Sequence, residues 1–93
     1  MKTHFTYHYD GGHGWFRVPM RMLEKLFLLD KISSFSYQSK DGKTAFLEED
    51  SDASIFFYKM KEYGYDENDL KLKAKDDGDR SPIRNLPSFN GGK

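Results

Sequence analysis

The chain has 93 residues, enough for one domain. Its 15 lysines and arginines balance 15 aspartates and glutamates, which sets it apart from a strongly basic DNA-binding domain and from a strongly acidic DNA mimic. It has no cysteine, so disulfides, thiolate zinc sites and a cysteine nucleophile are excluded.

Residues Thr3 to Tyr9 alternate, with Phe5, Tyr7 and Tyr9 on one side and His4, Thr6 and His8 on the other. That period predicts a half-buried strand. The turn Asp10-Gly11-Gly12-His13-Gly14 follows, and Trp15 to Val18 reads as the returning strand of a hairpin. Pro19 ends it and opens a helix predicted to run to Leu29, with Met22, Leu23, Leu26 and Phe27 on its packing face. Ser33 to Gln38 alternates again, and Asp41-Gly42 supplies a turn back into a strand at Thr44 to Glu48. A second helix is predicted near Ala53 to Tyr63, packing through Ala53, Phe56, Phe57 and Met60 and ending at Gly64. Leu70, Leu72 and Ala74 alternate with Lys71, Lys73 and Lys75, the pattern of a lysine-protected edge strand.

The expected fold is therefore α+β: a small antiparallel sheet of two hairpins with two helices in the order β-β-α-β-β-α, with a possible fifth edge strand. Residues 1–75 are expected to form the single domain. Residues 76–93 are rich in Asp, Gly, Arg, Ser, Pro and Asn and are expected to be a flexible polar tail. The first ten residues hold no apolar run, so no secretory signal is expected, and no apolar stretch is long enough to cross a bilayer. The expected setting is cytoplasmic.

Two groups carry the candidate chemistry. The first is the turn and its flanks: His8, Asp10, His13 and Trp15. Two imidazoles and a carboxylate could hold zinc or iron if His8, Asp10 and His13 converged, but polar residues on a solvated strand and loop are the simpler reading. Trp15 beside a glycine-rich turn is expected at an interface. The second is the acidic run Glu48, Glu49, Asp50 and Asp52. A helix N-terminus favours two or three such carboxylates, and the excess could imitate phosphates for a partner that binds nucleic acid. No serine sits in a nucleophile-elbow pattern and no carboxylate pair stands out, so no catalytic residue, metal or cofactor is assigned.

His13-Gly14-Trp15-Phe16-Arg17-Val18-Pro19, Ser36-Tyr37-Gln38 and the run from Leu47 to Ser54 together resemble a set of small accessory proteins carried by phages and mobile plasmids. The resemblance covers roughly residues 8–63. It implies a binding protein that occludes a host protein or nucleoprotein complex, for instance an anti-CRISPR or anti-restriction inhibitor, and no residue roles follow from it. The surfaces then expected to meet the partner are His8, Asp10, His13, Trp15, Glu48, Glu49, Asp50 and Asp52. The alternative is a small nucleic-acid-binding regulator that uses the sheet aromatics with Lys71, Lys73, Lys75, Arg80 and Arg84. An aromatic sheet in so short a chain would also suit a homodimer.

Overall fold

The alternation read in the first segment becomes a strand with two different faces. The computed structural model describes residues 3–65 and 70–93. Its strands are β1 (Thr3–Tyr9), β2 (Gly14–Pro19), β3 (Tyr37–Gln38), β4 (Thr44–Glu48) and β5 (Leu70–Asp76), and its helices are α1 (Met20–Lys25) and α2 (Asp52–Glu62). They form one α+β unit, a five-stranded sheet in the order β3-β4-β2-β1-β5. Both hairpins form as expected, and β2 pairs antiparallel with β4 to join them. The fifth strand also forms, but it runs parallel to β1, so the sheet is mixed rather than antiparallel. A parallel neighbour needs a long crossover, which α2 supplies. No helix among the described residues is long and apolar enough to cross a membrane.

The helices cover one face. Phe5 of β1, Val18 of β2, and Ala45 and Leu47 of β4 are buried there against Leu23, Ala53, Phe56 and Met60. Phe5 meets Phe56 edge-on at 5.5 Å between ring centres, and Phe16 meets Phe57 at 5.0 Å. Such tilted pairs place the positive edge of one ring against the negative face of another. The packing face expected for α2 is the one observed, with Ala53, Phe56 and Met60 buried and Phe57 partly so.

Helix α1 is shorter than its periodicity predicts. Leu28 N–H reaches back to the Leu23 carbonyl at 2.8 Å, and Phe27 N–H to the Glu24 carbonyl at 3.0 Å. These two bonds make a Schellman stop, which turns the residue after the cap left-handed. That residue is Phe27, at φ +59°. The apolar contact such a stop favours is made by Leu23 and Leu28, both in the core. Phe27 is consequently 76 % exposed and leaves the packing face expected for it. The segment from Leu26 to Ser36 then carries no strand, so β3 shrinks to two residues, and Phe35 is 77 % exposed.

The C-terminal segment is the largest departure from expectation. Residues 76–93, expected as a flexible polar tail, are built into the fold: Asp76 ends β5, and the part around Ser81–Leu86 covers the second face of the sheet. Pro82–Asn85 form a short 3-10 helix, and Ile83 packs with Trp15 and Phe46 in a second apolar cluster flanked by Tyr37 and Leu86. Ser88 bridges to Tyr37, and Gln38 N–H donates to the Pro87 carbonyl at 3.0 Å, so the segment also closes the β3 edge. Phe89 reaches the main core, and the buried Gln38 side chain accepts from Asn90 N–H and Gly92 N–H. Polar composition misled because few apolar residues are needed: Ile83 and Leu86 seal a patch that Trp15, Phe46 and Tyr37 have already half filled, and Phe89 joins the main core.

Ile83→Ala is expected to cost about 3 kcal/mol in chemical denaturation, as for a buried aliphatic side chain. It is also expected to shift the emission of Trp15 to the red. Phe27→Gly is expected to raise stability by about 0.5–1 kcal/mol, because glycine takes the left-handed conformation without the penalty a side chain brings.

Candidate functional site

The β1–β2 turn is built around one carboxylate. Asp10 Oδ1 accepts from Gly12 N–H at 2.9 Å and His13 N–H at 3.0 Å, an Asx turn that the Asp-Gly-Gly sequence permits. Asp10 also holds the distant C-terminal segment. Its Oδ2 accepts from Ser81 N–H at 2.8 Å and from Arg84 Nε at 2.6 Å, and Arg84 Nη2 donates to Oδ1 at 2.9 Å. The carboxylate is fully covered, while the arginine remains 27 % exposed. Arg84 and the amides of Ser81, Gly12 and His13 together hold the Asp10 carboxyl far below the usual carboxylate range. The stability this group contributes is present above its unfolded value of 3.8 and is lost as pH falls below it.

Next to it lies a second buried ionisable pair. His8 Nδ1 is 3.2 Å from Asp77 Oδ2, and Ser81 Oγ donates to the same oxygen at 2.6 Å. The His8 ring meets Phe46 edge-on at 5.9 Å. Sequence reasoning missed Asp77, Ser81 and Arg84 as partners of His8 and Asp10. Nothing local connects residues seventy positions apart.

The acidic run is brought to the same end of the sheet. Trp15 lies opposite Glu48 in the β2–β4 register, and Glu49 N–H donates to the Gly14 carbonyl at 3.1 Å. Its carboxylates do different things. Glu48 accepts from Asp50 N–H at 2.6 Å and from Ser51 N–H at 3.2 Å, shaping the approach to α2. Partial burial alone would raise the Glu48 carboxyl, but these donors outweigh it and lower it. Glu49 accepts a short hydrogen bond from the Tyr7 hydroxyl. Burial, then that bond and the Glu49 charge, push the Tyr7 hydroxyl up to about 12. A side chain at Gly14 would overlap the Tyr7 ring, which is why a glycine is required there. Asp52 turns inward and accepts from Ser33 N–H, Ser33 Oγ and Ser36 Oγ, the hydroxyls at 2.6 Å. Asp50 alone has no such task. It is exposed, and the Glu48 charge beside it raises its carboxyl.

The candidate set therefore divides. His13 and Asp50 lie exposed and Glu48 and Glu49 half-buried at one end of the sheet. His8, Asp10, Trp15 and Asp52 are buried, and this corrects their assignment as partner contacts: they hold the surface in place from below. Trp15 is 2 % exposed because the C-terminal segment covers it, with Arg84 stacked 5.2 Å from its ring centre. His8, Asp10 and His13 do not form a metal-binding set here. Both Asp10 oxygens are taken by protein donors, and no group of three metal-binding side chains occurs among the described residues.

Above this support lies a shallow pocket of about 370 Å³, lined by His13, Trp15, Phe35, Tyr37, Glu48, Asp50 and Arg84. It brings a bare aromatic ring, a guanidinium and two carboxylates together. No nucleophile–base pair faces it. The alternative surface is split between the faces. Phe5, Tyr7 and Phe16 pack on the helical side; Lys71, Lys73 and Lys75 stand beside His4, Thr6 and His8 on the other face, where Trp15 is buried and Tyr37 half-buried, and Arg84 is committed to Asp10.

Because Glu48 raises the Asp50 carboxyl, the fold binds that proton more tightly than the unfolded chain does. Stability then falls as pH rises above the ordinary Asp value of 3.8, and the ionised form is a net cost at neutral pH. Asp50→Asn is expected to raise the melting temperature at pH 7 and to lose that gain below about pH 4; an unchanged melting temperature at pH 7 would show that Asp50 is solvated away from Glu48. No protein-family profile, curated protein or solved structure matches this chain, so its functional reading rests on this geometry.

Proposed function

We propose that this chain is a binding module of the kind carried by phages and mobile plasmids, which covers a basic surface of a host protein or nucleoprotein complex and inhibits it by occlusion. Machinery of host defence, such as a CRISPR or restriction complex, is the target class that this reading favours. The observation that carries it is uncompensated charge beside an exposed ring. Glu48, Glu49 and Asp50 are crowded at one end of the sheet, and no lysine or arginine among the described residues lies within ion-pair distance of them. Phe35 stands exposed in the same pocket. A partner with a basic surface would relieve the repulsion among these carboxylates on binding. An aromatic ring rimmed by charge is also the usual composition of an interface anchor.

The nucleic-acid alternative has few open rings beside its lysines, since Trp15 and Phe46 on the lysine face are buried under the C-terminal segment.

The test uses the intact chain. Affinity capture from a bacterial lysate is run with and without nuclease, and the partner is then titrated against variants. Asp50→Lys and Phe35→Ala are suitable, because neither side chain supports the fold as Glu48, Asp10 and Asp52 do. A nuclease-resistant protein partner is expected, with affinity falling at least about tenfold for each variant. Capture that disappears with nuclease, or affinity that both variants leave unchanged, would reject this reading.

A further inference from the structure

The sheet has two edges, and the chain treats them differently. The β3 edge is closed by residues 87–89. The β5 edge carries no neighbour among the described residues. Strand β5 pairs with β1 along all seven of its residues, from Thr3 opposite Leu70 to Tyr9 opposite Asp76. Its other side therefore presents a row of unpaired backbone N–H and C=O groups, which is a template for another strand.

The two faces of that edge have opposite chemistry. On the helical face a groove of about 830 Å³ runs between β5 and α2, lined among others by Phe57, Tyr58, Met60, Tyr65, Leu70 and Leu72. Leu72 is 57 % exposed and Tyr58 69 % exposed, so this apolar surface is open along its length. On the other face stand Lys71, Lys73 and Lys75, all exposed and at intervals of about 6.6 Å along the strand. None of them has an acidic partner within ion-pair distance among the described residues. Lys61 adds a fourth cation at the rim of the groove.

An added strand would place alternate side chains on these two faces. Those on the helical side would enter the apolar groove, and those on the other would lie directly across from lysines. We infer that the β5 edge receives a strand from a partner protein in which apolar residues alternate with Asp or Glu. A second copy of β5 does not fit, because antiparallel self-pairing about Lys73 sets lysine against lysine, and like charges directly opposite are destabilising. The lysines thus guard the edge against self-association and select an acidic partner strand. This surface uses none of the residues of the acidic end, and the two readings stand or fall separately.

The probe is a displayed library of random dodecapeptides selected against the intact chain. Selected peptides are expected to alternate apolar and acidic residues, and on binding to slow amide exchange at Leu70–Asp76. The variant Lys71→Glu/Lys73→Glu/Lys75→Glu should lose such peptides by at least about tenfold and select apolar–basic alternation instead; Lys73→Glu alone serves if the triple variant does not fold. Failure to select peptides, selection without alternation, or binding that leaves β5 exchange unchanged would overturn the inference. So would a single-stranded oligonucleotide that displaces the peptides through the lysines without protecting β5 amides, since the face would then serve a polyanion.

Discussion

The Asp10 carboxylate is the interaction on which the rest of this structure depends. A buried charge is tolerated only when its lone pairs are filled by strong donors. Here the donors come from two parts of the chain that could otherwise move apart. Two amides of its own turn fix the hairpin, and Ser81 and Arg84 fix the C-terminal segment. Removing either partner would leave an unpaired charge under that segment.

The consequences spread outward. With Arg84 held, its guanidinium lies over Trp15, and Ile83 is pressed against Trp15 and Phe46. The second sheet face is thereby half covered, and Tyr37 and Phe35 are left to form a pocket rather than a loose aromatic patch. His8 and Asp77 add a polar contact beneath the same strap, joined through Ser81 to the residue that donates to Asp10. The acidic end is supported in the same manner. Glu48 orders the loop entering α2, Asp52 ties the start of α2 to Ser33 and Ser36, and Glu49 is tied to Tyr7, so the exposed Asp50 sits on a rigid base. Precise placement of a few surface groups needs such a supporting layer.

The two surfaces differ in how each is made. The acidic end is assembled from loops and carries charge that the fold does not neutralise. The β5 edge is backbone geometry, an unpaired strand with an apolar and a basic face. Both place what is uncompensated at the surface, where a partner could satisfy it, and among the described residues His8 Nε2 is the one buried side-chain polar atom left without a partner.

Local chemistry determined much of this. The period of two in β1 assigned its faces correctly, because successive strand side chains point to opposite sides, although His8 is buried and Tyr9 exposed. The period of α2 gave its buried stripe, and Asp41-Gly42 gave the second hairpin, with Gly42 at φ +73°. The lysine alternation gave β5 as an edge. Tertiary structure decided the rest. The direction of β5 depends on where α2 delivers the chain, which no property of its own residues encodes. Helix α1 stopped early because the Leu23–Leu28 contact in the core outweighed the left-handed strain at Phe27. Residues 76–93 read as a polar tail because their few apolar residues acquire a purpose only against Trp15 and Phe46. His8, Asp10, Trp15 and Asp52 looked available in sequence for the same reason: burial is conferred by segments far away in the chain, and the partners that claimed His8, Asp10 and Asp52, namely Asp77, Arg84 and Ser33, come from outside their local sequence.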